Sequence, residues 1–225
     1  MSAAARPPAL DHLVVAAHSL AQGAAWCEST FGVAPEAGGR HPLMGTHNRL
    51  LAIGGDAFPG CYLELIAIDP DASAPPHPRW FGLDAPALQA SLQRHGPRLV
   101  TWVARCDDID ARCATLAALG ADPGSVVAAE RDTPAGTLRW RISVRGDGRP
   151  LAGGALPTWI QWRGPHPCER LPDRGVRLRG FALHGVAADA FAAIAVPGVV
   201  RADAPAAALA ANFDTPRGVV TLRSG

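Results

Sequence analysis

The sequence contains no lysine, and no excess of either charge. All 21 basic residues are arginine, they are balanced by 20 acidic residues, and the formal net charge is +1. Because both signs are scattered along the chain, neither a nucleic-acid footprint nor a polybasic membrane patch is indicated. Arginine suits bidentate contacts with anions. With lysine absent everywhere and alanine abundant, however, a mutational bias toward GC-rich codons explains the arginine content better.

Long apolar runs and paired cysteines are also missing. No window approaches the roughly 20 apolar residues of a membrane span, and residues 1–8 lack the apolar core of a secretory signal. The sequence therefore predicts a cytoplasmic protein without a membrane partner. The five cysteines form no C-x-x-C pair and are odd in number, which indicates reduced thiols and disfavours a disulfide framework or a zinc-thiolate site.

Several familiar catalytic motifs are absent as well. There is no G-x-S-x-G elbow, no G-x-x-x-x-G-K phosphate loop and no H-E-x-x-H pair. These absences disfavour a hydrolase triad, a kinase and a dinucleotide-dependent enzyme. At 48% hydrophobic and 18% charged residues, the composition is ordinary for a folded protein.

The most informative feature that is present is an internal repeat. A strand at 10–15 and a helix opening at Ser19 have a counterpart in a strand at 99–103 and a helix opening at Asp108. Both helices keep the i, i+4, i+7 spacing of a buried helix face, and both end at a glycine. The matched helix positions, which differ by 89 in residue number, are Leu20, Ala24 and Cys27 with Ile109, Cys113 and Leu116.

The repeat predicts an α+β fold made of tandem βαβββ units. We expect the C-terminal segment to be a partial βαββ unit packed on the same domain. The predicted divisions are a first unit at 9–68, a linker with a helix at 69–97, a second unit at 98–163 and the C-terminal unit at 177–225.

Four short motifs carry a resemblance to a known family. They are DHLV at 11–14 on the first strand, GTHN at 45–48, YLEL at 62–65 on the fourth strand and PTWIQW at 157–162. Their order and spacing resemble the vicinal oxygen chelate (glyoxalase/bleomycin resistance/dioxygenase) superfamily, and within it the glyoxalase-like domain proteins. The resemblance covers residues 9–167. It implies that the strands of the two units form one curved mixed sheet with a cleft. It also implies that the cleft holds a divalent metal, such as Mn, Fe, Ni or Zn, which chelates neighbouring substrate oxygens.

The resemblance also implies particular site residues. Carried over by position, the metal ligands are His12 and Glu64 from the first unit and Gln161 from the second, where the position that matches His12 holds Thr101. Glu64 or His47 would act as a catalytic base. Side-chain alternation places Tyr62 beside Glu64, and Trp159 beside Gln161, on the cleft face. The candidate substrate-binding residues are Tyr62, Asn48, Arg49, Thr101 and Trp159.

Two functions follow from this set. The first is a metal-dependent enzyme of the lyase, isomerase or dioxygenase type. The second is a metal-free protein that binds or sequesters a small molecule, in which His12 and Glu64 form only a satisfied polar pair. The missing ligand at Thr101 favours binding, whereas the retained His12 and Glu64 favour catalysis. Of the two, we expect the metal-dependent enzyme, with metal-free binding as the alternative. Either way we expect a small-molecule ligand and a monomer or homodimer. We expect His41 to be solvated and His166, between two prolines, to be a rigid linker residue or to reach the cleft mouth.

Overall fold

A computed structural model describes residues 6–133 and 136–224. Residues 1–5 lie outside this part, and with them most of the N-terminal segment considered above as a secretory signal. The described helices are α1 (Leu20–Phe31), α2 (Pro86–His95), α3 (Ile109–Ala118) and α4 (Ala188–Ile194). The described strands are β1 (Ala9–Ala16), β2 (Glu36–His41), β3 (Thr46–Ala52), β4 (Tyr62–Ile68), β5 (Arg98–Arg105), β6 (Ser125–Thr133), β7 (Gly136–Val144), β8 (Thr158–Arg163), β9 (Arg177–His184), β10 (Val199–Ala202), β11 (Ala208–Thr215) and β12 (Gly218–Arg223).

The larger sheet confirms the predicted α+β fold with two related units. Its strand order is β2-β3-β4-β1-β5-β8-β7-β6. In each unit the first strand pairs in parallel with the last, β1 with β4 and β5 with β8. The antiparallel β1–β5 pair joins the units at the centre of the sheet. The sheet curves so far that its outer strands β2 and β6 approach each other, which encloses a concave face.

The helices begin and end where their local signals predict. Ser19 caps α1 by accepting a hydrogen bond from the backbone N–H of Gln22, at 3.2 Å, and Asp108 caps α3 through the N–H of Ala111, at 3.0 Å. α1 ends at Gly32, whose φ is 79°. Within the described residues, no helix is both long enough and apolar enough to cross a lipid bilayer.

Alternation along the strands divides the apolar residues between two cores. Leu13, Leu63 and Trp102 point to the convex face, where helices α1, α3 and α4 and the smaller sheet cover them. Val14, Ile66 and Val103 point to the concave face, where Trp140 from β7 and the segment around Trp80 cover them. The cleft therefore lies on the concave face. The convex core, on the other face of the sheet, holds helices α1, α3 and α4 in place.

The C-terminal segment forms the smaller sheet, in the order β10-β9-β11-β12. Its connectivity differs from that of the two units, because its first strand β9 pairs with β10 and β11. The sequence analysis missed β11, an alanine-rich strand, because alanine has a low intrinsic preference for strands. Phe181 and Phe213 of this sheet pack into the convex core. The proposed division of the chain into units stays a prediction.

Residues 145–157, between β7 and β8, cover the part of the β5 edge that β8 leaves unpaired. β8 pairs with β5 only through residues 103–105, and the segment before β8 covers the rest of that edge. The Trp102 Nε1–H donates to the carbonyl of Ala155 at 3.0 Å, and the Thr101 hydroxyl donates to the carbonyl of Gly154 at 3.3 Å. A Cβ atom on Gly154, whose φ is 97°, would lie 2.1 Å from the carbonyl oxygen of Val100. Only glycine fits this approach.

This close approach makes a testable prediction for Gly154→Ala. The matched control is Gly120→Ala, because Gly120 also has a positive φ, 77°, but has no atom within 4 Å of its hypothetical Cβ. In both variants the left-handed backbone should lower the free energy of unfolding by about 1–2 kcal/mol, because alanine disfavours this conformation. Gly154→Ala should lower the free energy of unfolding by roughly 2 kcal/mol more, because backbone must move. Urea unfolding measures the difference, and equal losses in the two variants would contradict this account.

Candidate functional site

The site begins at a β-bulge in β1. Its pairing with β5 shifts register between Leu10 and His12, so Asp11 is an extra residue, and the usual alternation of side chains is interrupted there. As a result the Asp11 and His12 side chains meet, with Oδ1 2.7 Å from Nδ1. Asp11 is fully buried and His12 is nearly so.

The second oxygen of Asp11 binds the end of the other unit. It accepts a hydrogen bond from the Trp162 Nε1–H at 2.9 Å and lies 3.0 Å from Nε2 of His166. The Trp162 and His166 rings also contact each other, with centroids 5.3 Å apart. One buried carboxylate thus connects β1, the last strand of the second unit and the segment that follows it.

The other side of the His12 ring faces Glu64 on β4. The His12 Nε2 lies 3.5 Å from Oε2 of Glu64, and the Tyr62 ring stacks on the imidazole with centroids 4.6 Å apart. The Asn48 side-chain amide donates to Oε1 of Glu64 at 2.6 Å. Both carboxylate oxygens of Glu64 are therefore engaged, in a nearly water-free environment.

Asn48 continues the network to the opposite edge of the sheet. Its Oδ1 accepts from the backbone N–H of Gly39 at 2.8 Å and from the Arg131 guanidinium at 3.0 Å. A Cβ atom on Gly38 would lie 2.0 Å from the same oxygen, so glycine is required where β2 passes Asn48. Since Arg131 comes from β6, the network runs from one unit to the other across the seam between β2 and β6.

Burial and pairing set the charges in this network. Burial favours neutral His12, but the hydrogen bonds to Asp11 and Glu64 outweigh it and raise the pKa of His12 to about 9. Burial also favours neutral carboxyls, yet pairing with His12 lowers the pKa of Glu64 to about 2 and holds that of Asp11 well below its usual range. At neutral pH the site thus holds an imidazolium between two carboxylates.

His41 lies beside this charged cluster in the neutral state. Its Nε2 is 3.4 Å from the Asn48 amide nitrogen, and its Nδ1 is 3.1 Å from the Thr46 hydroxyl. Burial lowers the pKa of His41 to about 4. The expectation that His41 is solvated is wrong, because β2 carries it onto the concave face between Trp80 and Trp140.

A cleft of about 860 Å³ opens over this part of the concave face. Trp80, Trp140 and His41 form aromatic walls, and Arg131 lies at the floor where the cleft meets the polar network. A smaller cavity of about 320 Å³ lies beside the segment that contains His166, and Arg131 lines it as well.

The structure brings together four of the residues that the sequence analysis selected, His12, Glu64, Asn48 and Tyr62. It places Gln161 elsewhere, which corrects the expected ligand set. The Gln161 side chain donates to the carbonyl of Asp107 and its Oε1 lies 3.5 Å from the N–H of Ile109, so it helps to cap α3 on the convex side. The residues of β8 that face the cleft side are Ile160 and Trp162. The sequence mapping was off by one residue, which inverts every side chain of a strand.

Four other candidates also lie away from His12 and Glu64. Trp159 is fully buried in the convex core, which corrects its expected place in the cleft. His47 and Arg49 alternate with Asn48 on β3 and so project to the opposite face, where His47 Nδ1 lies 3.8 Å from Asp69. His47 is therefore not positioned as a base beside Glu64. The Thr101 hydroxyl is committed to the carbonyl of Gly154.

Sequence reasoning missed three residues of the network, Asp11, His41 and Arg131. Period-two alternation assigns Asp11 to the face opposite His12, and the sequence carries no signal for the bulge that overrides it. Arg131 is more than 80 residues from Asn48 in the chain, and only closure of the sheet brings them together. The two glycines at 38 and 39 are the one local indication of a close contact at β2, because a glycine within a strand often marks a site where another group approaches the backbone.

The described side chains around His12 and Glu64 offer too few donors for a metal ion bound between the two units. In the described part of the chain, no group of three or more His, Cys, Asp or Glu side chains is arranged to hold a metal ion. His12 and Glu64 supply two donors, whereas catalytic zinc sites ordinarily have three protein ligands. Because the Gln161 side chain lies on the convex side, the described part of the second unit adds no metal ligand to this pair. The residues present do not fit a metal held by both units.

The charge on His12 makes a prediction. Because its folded pKa of about 9 exceeds the ordinary 6.5, His12 should contribute stability that is complete below pH 6.5 and is lost as pH rises through 9. Nitrogen-15 NMR of the imidazole should show both ring nitrogens protonated at pH 7.5, with the signal assigned by its loss in His12→Gln. A ring that is half-titrated near pH 6.5 would contradict the ion-pair network.

Comparison with known proteins agrees with this fold. The family model described as "Glyoxalase-like domain" matches residues 10–197, and no curated protein matches the sequence. A hypothetical protein from Staphylococcus aureus has a TM-score of 0.56 at 14% identity, over 89% of this chain and 88% of that chain. Methylmalonyl-CoA epimerase from Mycobacterium tuberculosis has a TM-score of 0.41 at 21% identity, over 73% of this chain and 94% of that chain.

A second methylmalonyl-CoA epimerase, a Streptomyces coelicolor variant in complex with 2-nitronate-propionyl-CoA, has a TM-score of 0.43 at 17% identity, over 71% of this chain and 100% of that chain. At 14% identity the Staphylococcus aureus structure bears on the fold alone, and no conclusion rests on the two epimerase structures, whose TM-scores are lower. The family model, in contrast, spans most of the chain, from the first strand to the C-terminal sheet. The resemblance inferred from the four motifs is therefore confirmed, and the chain belongs to the family of the glyoxalase-like domain.

Proposed function

We propose that this protein binds a small organic molecule, without a resident metal, in the cleft between its two units. The observation that carries the proposal is the cleft of about 860 Å³, with aromatic walls at Trp80 and Trp140 and a polar floor at Arg131. Concave, mostly apolar surfaces with a few placed polar groups are typical of small-molecule sites. The donor set described above supports binding over metal-assisted catalysis, since only His12 and Glu64 converge.

The walls of the cleft are held in place before any ligand binds. The Trp140 ring packs against Trp162 and His41, with centroid distances of 5.5 and 6.2 Å, and His41 packs edge-on against Trp80 at 5.2 Å. Aromatic rings that are fixed by their neighbours lose little freedom when a ligand binds, which favours affinity.

Filling the cleft should abolish binding. Ala129 on β6 lines the cleft and is the cross-strand neighbour of Trp140 on β7. In Ala129→Phe the added ring should therefore project into the cleft beside Trp140. The neutral probe 1-naphthamide, at about 0.3 kcal/mol for each of its roughly 13 non-hydrogen atoms, should bind the native protein with a Kd near 1 mM. Isothermal titration calorimetry should show at least about tenfold weaker binding in the variant.

The control is Val219→Phe, because Val219 is exposed on β12 in the smaller sheet. It adds the same side chain far from the cleft and should leave the affinity for 1-naphthamide unchanged. Equal affinities in the Ala129→Phe, Val219→Phe and native proteins would show that the probe binds elsewhere. If neither 1-naphthamide nor its acid, 1-naphthoate, binds at all, the cleft is not a ligand site for molecules of this size.

A second function, a metal-dependent lyase, isomerase or dioxygenase reaction, is favoured by one specific observation. The Nδ1 of His12 pairs with the Asp11 carboxylate, which directs Nε2 toward Glu64. Metal-binding histidines are commonly oriented by a carboxylate in this way. In this case Glu64 and His12 would bind the metal ion. Tyr62 and Asn48, which contact these two residues, would lie nearest to the substrate of the reaction.

Elemental analysis separates the two functions. After incubation with Mn²⁺, Fe²⁺, Ni²⁺ or Zn²⁺ and dialysis, the protein should retain well under one metal ion per chain, because the converging donors are too few for tight binding. Binding of 1-naphthamide should be the same before and after dialysis against a chelator. Near-stoichiometric metal that is retained by the native protein and lost in Glu64→Gln would overturn metal-free binding and establish the second function.

The proposal also includes a cytoplasmic location and a monomer or homodimer as the binding unit. The five cysteines all lie in the described part of the chain and are free thiols, which suits a reducing compartment. Burial raises the pKa of Cys27 and Cys168 to about 12, so these thiols are unreactive at neutral pH. Light scattering during size-exclusion chromatography would give the oligomeric state.

A further inference from the structure

Arg131 differs from the other described arginines in being buried. Only 8% of its surface is exposed, although it carries a full positive charge at any physiological pH. Its described hydrogen bond is to the neutral Asn48 amide, at 3.0 Å, and none of the described ion pairs includes it. A buried charge is stabilised when it has a partner of opposite sign, and it is costly without one.

The carboxylates close to Arg131 are already engaged. Glu64 lies behind Asn48 and pairs with the charged His12. On the cleft side, Glu130 pairs with Arg139 at 3.0 Å, and Asp132 accepts a hydrogen bond from the Thr137 hydroxyl at 2.7 Å. The guanidinium has five N–H donors; its described hydrogen bond to Asn48 uses one of them, and Arg131 lines two cavities.

The other cations that line the cleft differ in being at least partly exposed; they are Arg40, Arg139, Arg141 and Arg163, the last of which has no described ion pair but is open to water. Arg40 pairs with Asp69 and Asp71, at 3.2 and 2.8 Å, and Arg141 pairs with Asp110 at 2.8 Å. These arginines are at least partly exposed, so water and their own partners offset their charges. Arg131 combines a desolvated charge with a position at the floor of the cleft, where a ligand would meet it.

We propose that Arg131 is the anion-binding residue of the cleft, and that the natural ligand carries a carboxylate or phosphate group on an apolar body. The planar guanidinium matches either group in bidentate geometry. The body would lie between Trp80 and Trp140, because the larger of the two cavities that Arg131 lines is the aromatic one. This inference rests on the proposed function, since it assigns the chemistry of a ligand for the same cleft.

The surrounding backbone keeps Arg131 in this position. A Cβ atom on Gly39 would lie 2.7 Å from Nη1 of Arg131, so the guanidinium packs directly against the β2 backbone. Across β6 and β7, Arg131 pairs with Leu138, which belongs to the concave core. The charged end is thus fixed before a ligand arrives, which favours anion recognition.

Three probes with one apolar body test the inference by isothermal titration calorimetry. They are 1-naphthamide, which is neutral, and 1-naphthoate and 1-naphthyl phosphate, which are anions. The native protein should bind at least one anion about tenfold more tightly than the amide, because hydrogen bonds to charged groups are stronger. The anion that binds more tightly identifies the carboxylate or the phosphate as the preferred group.

In Arg131→Gln the preference for the anion over 1-naphthamide, measured as the ratio of their two Kd values in that variant, should fall to less than about twofold. Arg179→Gln, on the smaller sheet, changes the net charge equally and should keep the full preference. Arg131→Lys retains the charge but not the planar fork, so its preference should be intermediate. Because it keeps a cation at the seam, it also serves as the test if Arg131→Gln does not fold, as judged by circular dichroism.

The failures of the two proposals are distinguishable. If all three probes bind the native protein equally, the anion site is overturned while cleft binding stands. If the anion preference survives in Arg131→Gln, another residue provides it. If Arg131→Lys keeps the native preference, the planar guanidinium is not what recognises the anion. Either result overturns the inference. If none of the probes binds, the proposed function itself fails.

Discussion

The hydrogen bond between His12 and Asp11 is the interaction on which the rest of this structure depends. It exists because a bulge at Asp11 turns two consecutive side chains toward each other at the centre of the sheet. From there Asp11 reaches Trp162 and His166 of the second unit. His12 reaches Glu64, whose other oxygen accepts from Asn48. Each buried charge is stabilised by the next, so removal of any one leaves an uncompensated group in a dry environment.

This polar network also explains why the curved sheet closes. The last contact in the network is Arg131, which hydrogen-bonds to Asn48 across the seam between β2 and β6. Apolar packing alone is not directional, whereas a chain of hydrogen bonds specifies one arrangement of the strands. The convex core, with Trp102 and Trp159, supplies apolar burial, and the concave network determines how the two units face each other.

The two units are alike in fold and unlike in chemistry. The first unit contributes ionisable side chains from β1 and β4, while the facing positions of the second are Val103 and Ile160, which are apolar. The second unit adds instead the aromatic wall and the guanidinium of Arg131. Such a division suits a cleft that combines ionisable groups of the first unit with an aromatic surface and one guanidinium of the second.

Much of the fold and about half of the site could be predicted from the sequence. The spacing of apolar residues and the caps at Ser19 and Asp108 are local signals, so the helices were found close to their observed bounds. Alternation along β4 placed Tyr62 and Glu64 on one face, and the family resemblance added His12 and Asn48 as candidates for the same site. β11 was missed because its alanines express no strand preference, and its formation depends on pairing with β9 and β12.

The sequence by itself determined the duplicated α+β units, the helix ends and the face of β4, because each depends on residues close together in the chain. Only the tertiary structure decided the register of β8, which directs Gln161 to α3 and Trp162 to Asp11. It alone also decided the bulge at Asp11, the burial of His41 and the meeting of Arg131 with Asn48. The physical reason is that strand register and sheet closure depend on contacts between distant segments, and a shift of one residue inverts every side chain of a strand.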